Sequence, residues 1–420
     1  MMAASVVVML PVLLLFIYAQ RCFTLGVAFE GGKWPVHPRR HFLAQAVALA
    51  MGVLLTEACW RRSVPLTTAS LTSSGNETSP MDNRQRAEET YAVLVQRFAI
   101  SNTGLFYEHV EPKDDDRFCS GLWPYSGVVS ALNALAALPE VCPRYHAALR
   151  SALKWLDAHY DAEADPPAYD SYIRVGGGGQ KHYDDNEWLG LEFVEAWRTP
   201  GDPAYLVKAE EMLRFALSGW SAAMGRGIYW RQHDDATKNT CSNGPAAVLV
   251  LELHRETGRR EYLATRILEW LALLQSPDSG VYWDSVSATG NIDKRTFSYN
   301  TGTPLHANAL LYRITGESSY LEAARVLAAA SYAHFAPVDV ASGECLFPDT
   351  PWFNAVLLRG YLARYATDPL RDRTYIDAMQ RNLDYAWKHA RAADGSFSPD
   401  WSGRSGLCPP PVAARSGCHG

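Results

Sequence analysis

The sequence predicts an all-α protein: six helical hairpins closed into an (α/α)6 barrel. Two observations predict it. The first is a repeat. The segments "LAALPEVCPRYHAAL", "EAWRTPGDPAYLVKA", "LHRETGRREYLATR", "LYRITGESSYLEAA" and "ARYATDPLRDRTYIDA" each end an apolar helix, turn on Gly or Pro, and open a second helix near a Tyr. Those tyrosines, Tyr145, Tyr205, Tyr262, Tyr320 and Tyr375, lie 60, 57, 58 and 55 residues apart. A period of that length holds two helices and two connections. The second observation is that the two helices differ. The one before the turn is apolar nearly all round, as in "GPAAVLVLEL". The one after it mixes apolar and charged residues, as in "YLVKAEEMLRFAL". A helix apolar on every side belongs inside and an amphipathic one outside.

The elements follow in chain order. Residues 1–58 form an export segment. Arg39 and Arg40 precede the apolar run Phe42 to Leu55, which has signal-peptide length and resembles a twin-arginine export signal. Cys59 is a candidate lipid-anchor site, which would tie the chain to a membrane through its N-terminus. Residues 59–81 are a Ser/Thr-rich linker. Residues 82–405 form the barrel, opening with an outer helix at Asn83 to Phe98. Inner helices follow at "GVVSALNALAAL", "EWLGLEFVEAW", "GPAAVLVLEL", "PLHANALLYRI" and "FNAVLLRGYLARY". Gly244 to Leu253 should be almost wholly buried, while Lys208, Glu210 and Glu211 should be mostly exposed. The count reaches six outer helices and five inner ones. Residues 406–420 carry three consecutive prolines and no helical period. The barrel is therefore expected to lack its last inner helix, leaving a groove between the first and sixth outer helices.

The turns from inner to outer helix are short. The loops at the opposite end are long, polar and aromatic, such as "YDSYIRVGGGGQKHYDD" and "GVYWDSVSATGNIDKRTFSYNTG". Function sits on elaborate loops held by a rigid scaffold. Each loop ends where an inner helix begins, so Trp123, Asp184, Asp185, Asn243, Asn300 and Trp352 should converge on one mouth. Asp184 has Glu187 three positions later, the spacing of a capping box, so a helix cap is the local reading. One cap explains one aspartate, not both. Successive Cα atoms are about 3.8 Å apart. Adjacent side chains can therefore hold carboxyl groups roughly 5 Å apart, the separation that retaining glycosidases use.

Bulk properties narrow the class. With a net charge of −6 the chain lacks the basic surface that nucleic acid requires. Its 8 cysteines include no C-x-x-C pair, and no metal motif or cofactor fingerprint is present. "GGGG" at Gly176 to Gly179 lacks the Lys of a phosphate loop. "DDD" at Asp114 to Asp116 has the oxygen ligands calcium takes, with a solvated loop as the preferred reading. Aromatic residues are abundant, with 13 Trp and 21 Tyr. Trp123, Tyr125, Trp188, Trp230, Trp283 and Trp352 are candidates for stacking on sugar rings, with core packing the competing role. Tyr183 is a candidate partner for a carboxylate. Asn243, Tyr299 and Asn300 are candidates for binding sugar hydroxyls, with turn formation and capping as the alternative.

"YDDNEWLGL", "GIYWRQHDDATKNTCSNGPAA" and "FSYNTGTPLHANALLYRITGESSYL" together resemble glycoside hydrolase family 76, the endo-α-1,6-mannanases, from about Ala87 to Trp401. The resemblance implies the same barrel. It also implies a retaining mechanism, with Asp184 as nucleophile and Asp185 as acid/base, acting on mannan polysaccharide or oligosaccharide. The chain is then expected to be an exported monomer of the cell envelope or the extracellular space. The competing readings are a different (α/α)6 sugar enzyme, such as an unsaturated uronyl hydrolase, and a non-catalytic glycan-binding toroid.

Overall fold

The computed structural model describes residues 82–110, 112, 117–138, 142–199, 201–258, 261–337 and 346–402. The export segment with Cys59, the linker, Asp114 to Asp116 and the proline-rich tail lie outside the described residues.

Among the described residues six outer helices alternate with five inner ones. The outer set is α1 (Asn83–Phe98), α3 (Cys142–Trp155), α5 (Pro203–Ser218), α7 (Glu261–Leu271), α9 (Ser318–Phe335) and α11 (Thr374–His389). The inner set is α2 (Leu122–Ala136), α4 (Tyr183–Arg198), α6 (Thr240–Thr257), α8 (Ser298–Thr315) and α10 (Pro351–Thr367). Each hairpin packs inner against outer helix, and α2, α4, α6, α8 and α10 pack in series. Glycine permits the tightest approach. A Cβ on Gly360 would stand 2.6 Å from the Gly302 carbonyl oxygen, so α8 and α10 touch backbone to backbone.

Local chemistry sets the helix ends. The Asp82 side chain caps α1, with Gln85 completing a capping box. Asp202 caps α5, ahead of Pro203 at its first position. Gly258 and Gly316 end α6 and α8 at φ 71° and 75°, a left-handed turn that costs glycine little. These short turns lie at one end. The opposite end carries β1 (Tyr160–Asp161) paired with β2 (Ala168–Tyr169), and an antiparallel sheet of β3 (Thr237–Asn239), β4 (Trp283–Ser287) and β5 (Ile292–Thr296).

Gly244 to Leu253 is buried at every position, as its lack of a polar face requires. Lys208, Glu210 and Glu211 are half-buried rather than exposed. For Lys208 and Glu211 the reason lies in the β1 loop. The Tyr160 hydroxyl donates to Glu211 at 2.8 Å, and Lys208 lies 3.4 Å over the Tyr160 ring. The periodicity of α5 cannot show a loop that folds back over its polar face.

The expected groove between α1 and α11 is bridged. Arg86 pairs with Asp384, Asn83 donates to Gln380 at 2.7 Å, and Arg391 meets Glu89 at 3.1 Å. Beyond α11 the chain turns inward, burying Phe397 and Trp401. Asn382 holds this segment by donating to the Trp401 carbonyl at 3.1 Å. Among the described residues no helix is long and apolar enough to cross a membrane.

Candidate active site

The loop end of the barrel is organised by a register that every inner helix shares. The fourth residue of each helix ties down the preceding loop. Asn186 accepts from Tyr169 N at 2.8 Å and donates back to Tyr169 O. Asn243 does the same with Ile228, at 2.8 and 3.0 Å. Thr301 accepts from Tyr282 N, and Asn354 donates to Phe347 O. Tyr125 donates its hydroxyl to Gly104 O and Ala152 O, both at 2.9 Å. These buried side chains stand in for a missing strand partner, satisfying backbone groups that burial would otherwise orphan. Tyr125 and Asn243 are therefore scaffold residues. Tyr183 joins them: its ring packs 4.8 Å from Phe215 beneath Gly219, away from the carboxylates.

The second residue of each inner helix is Trp123, Asp184, Cys241, Tyr299 or Trp352. Asp184 and Asp185 lie in the first turn of α4, which begins at Tyr183 with His182 as its N-cap. Asp184 is thus inside the helix, and the capping box expected with Glu187 does not form. Other groups fix the start of the helix. Tyr183 N donates to Trp230 O at 3.1 Å, and Asn186 donates to His182 O at 2.9 Å. Glu187 is wholly buried, and burial with the neighbouring Asp184 charge raises its pKa well above the usual range.

The two aspartates have unequal surroundings. Burial raises the pKa of Asp184. The Cys241 thiol, the Asp185 backbone N–H at 3.1 Å and the Trp230 indole N–H at 3.3 Å counter it by donating to the carboxylate. The positive end of the α4 dipole acts in the same sense. The pKa of Asp185 is raised as well, by burial and then by the Asp184 charge, and among the described residues no comparable set of donors meets its carboxyl group. Its neighbour is the His182 ring at 3.6 Å. Burial lowers that imidazole to about 3, so it is neutral at physiological pH and forms no ion pair.

A second acidic centre adjoins the pair. Asp284 on β4 is buried, 3.4 Å from Asn300 Nδ2 and 3.5 Å from an Arg295 nitrogen, and burial raises its pKa to about 6. Asp349 accepts the Ser298 and Thr350 backbone N–H groups at 2.7 and 2.8 Å. The Tyr299 hydroxyl feels Cys241, Asp284, Asp184 and Asp349 together, which places it within this acidic cluster. An aromatic band completes the wall. Tyr299 lies 4.2 Å from Phe353, Phe353 lies 6.2 Å from Trp123, and Trp123 lies 6.5 Å from Trp352. Trp352 and Trp188 line a small cavity whose polar side chains are Ser126, Ser130, Glu192 and Arg359.

Of the residues singled out in the sequence, the structure groups Asp184, Asp185, Tyr299 and Asn300 at the acidic centre. Trp123, Trp188 and Trp352 line the aromatic side. Cys241, Asp284, Asp349 and Phe353 were missed. The shared register would have found Cys241, which occupies the helix position of Asp184. Among the described residues no cluster of His, Cys, Asp or Glu could hold a metal ion.

Residues 86–406 match the family described as glycosyl hydrolase family 76. A mannan endo-1,6-alpha-mannosidase of Candida glabrata is 25% identical over 267 residues, covering 56% of this chain and 60% of the relative. The chain thus spans less than two thirds of that curated relative. A family 76 mannosidase structure from Bacteroides thetaiotaomicron has a TM-score of 0.67 at 25% identity, covering 76% of this chain and 90% of the other. The fold is shared too by an inactive variant of the α-1,6-mannanase of Salegentibacter sp., in complex with α-1,6-mannotriose. Its TM-score is 0.62 at 24% identity, covering 76% and 91% of the two chains.

Proposed function

The chain belongs to glycosyl hydrolase family 76, and from that premise we propose that it cleaves α-1,6-mannosidic bonds of mannan by retaining double displacement. The observation that carries the reading is the unequal pair at the head of α4. Asp184 attacks the anomeric carbon while Asp185 donates its proton to the leaving oxygen. Water then enters with Asp185 as base, releasing the sugar from Asp184. The first step needs an ionised Asp184 and a protonated Asp185. Donors gathered on Asp184, and a neutral ring beside Asp185, favour that distribution. Trp123, Trp188 and Trp352 supply faces for sugar rings, and Asn300 and Tyr299 supply polar groups. On this reading residues 82–405 form a monomeric catalytic body. Residues 1–58 direct export to the cell envelope or beyond, with Cys59 as the point of lipid anchorage, and 59–81 act as a linker.

The test is incubation with unbranched yeast α-1,6-mannan, following reducing ends and the first-formed anomer by NMR. Release of α-configured product supports the reading. Absence of product from folded protein, or a β-anomer formed first, sinks it.

A further inference from the structure

We propose that Trp230 is a positioning residue, whose indole N–H fixes the Asp184 carboxylate and makes Asp184 the ionised member of the pair. The inference rests on the reading of Asp184 as nucleophile. The indole N–H meets Asp184 Oδ2 at 3.3 Å, while the Asp185 backbone N–H meets Oδ1 at 3.1 Å. Both carboxylate oxygens are therefore held.

The loop that carries the indole is built to keep it there. Trp230 O accepts from Tyr183 N at 3.1 Å, and Gln232 N donates to Lys181 O at 2.9 Å, so the loop is bonded to the chain entering α4. Trp230 N donates to Thr237 O, which joins it to β3. The Arg231 guanidinium carbon lies 4.9 Å from the ring centre, and Arg231 also donates to Gln180 at 2.7 Å. The base of the loop is pinned by Lys238, which is wholly buried. Its ammonium donates to the carbonyls of Ser221, Ala223 and Arg226 at 2.8, 2.8 and 2.7 Å. That turn contains Met224 and Arg226 at φ 50° and 86°, strained for residues with a side chain. A lysine bonded to three carbonyls holds the turn in a conformation it would not otherwise keep.

The need for such a donor follows from what surrounds Asp184. Asp185 and Glu187 lie on its own helix, Cys241 on α6 and Tyr299 on α8. Beyond Cys241 lies Asp284 on β4. None of these groups is a cation: the carboxyl groups, when ionised, drive a proton onto Asp184, and the neutral Cys241 thiol shares with Trp230 the work of stabilising its charge. On the loop side, Arg231 is paired with Asp234. A neutral donor aimed at the oxygen stabilises the ionised form without adding a cation where the sugar must bind.

The experiment compares pH–rate profiles on α-1,6-mannan for the native enzyme and Trp230→Phe, which keeps a ring but removes the N–H. The acid limb should move up by about one pH unit, so activity below it falls about tenfold. KM should change less than kcat. In the native protein one indole N–H resonance should titrate with the acid limb, and that titration should vanish in Asp184→Asn. An unmoved acid limb in folded Trp230→Phe overturns the inference. If that variant fails to fold, the lack of any titrating indole resonance in the native protein does so. Failure of the native enzyme to act on the mannan instead removes the reading beneath it.

Discussion

At the residue scale, the adjacent aspartates separate by what donates to each. Asp184→Ala should lower kcat by several orders of magnitude and leave the fold intact, as thermal melting would verify. Loss of a helix cap alone would cost about 1 kcal/mol and spare the chemistry. Asp185→Ala should keep activity on a mannoside with an activated leaving group, because that bond breaks without acid assistance. Equal loss on activated and natural substrates would exclude Asp185 as the acid. Asp284 permits a prediction about stability. Its folded pKa is about 6, raised above the unfolded value by burial. The folded state then binds more protons than the unfolded one between those values. The contribution is fully present below the unfolded pKa and is lost as pH rises through 6. Asp284→Asn should therefore raise the thermal midpoint at pH 8, by about 1–3 kcal/mol in stability, and have little effect at pH 4. An equal effect at both pH values would show that burial does not govern this group.

At the element scale, each inner helix does two jobs with its first turn. Its second residue comes from the set that includes both Asp184 and Cys241, and its fourth ties down a loop. The fourth position is the structural one, which gives Asn243 a sharp expectation. Asn243→Ala leaves the Ile228 N–H and O, and Asn239 O, without their partner in a buried setting. The loss should be about 2–4 kcal/mol. Asn300→Ala, whose side chain meets Asp284 at 3.4 Å, should cost less stability and more KM. Urea denaturation and mannan kinetics on both variants separate the two roles. A reversed ranking would refute the register. Residue type alone cannot make this distinction, because Asn suits a loop anchor and a sugar hydroxyl equally well.

At the scale of the whole molecule, the seam between α1 and α11 is bridged by two means. Partly exposed ion pairs such as Arg86–Asp384 contribute little, about 0–1 kcal/mol each. The segment after α11 buries Trp401, which is 1% exposed. Trp401→Ala should cost about 3–5 kcal/mol, whereas Arg86→Ala should cost less than 1 kcal/mol. Similar unfolding curves for the two variants would show that the polar seam, not the buried segment, holds the barrel shut.

The sequence by itself determined the alternation of inner and outer helices, their number among the described residues, and the end of the barrel that carries the long loops and the adjacent aspartates. Burial periodicity and loop length are local properties, written residue by residue. It also singled out the adjacent aspartates, because two carboxylates at one helix start are unusual in any setting. Only the tertiary structure decided which aspartate is held by donors, since Trp230 and Cys241 reach Asp184 from 46 and 57 residues away in the chain. It also turned Tyr125, Tyr183 and Asn243 to the scaffold and brought Asp284 to the site from a hairpin. A side chain's role follows from the partner it meets, and helical phase and loop path across the barrel choose that partner.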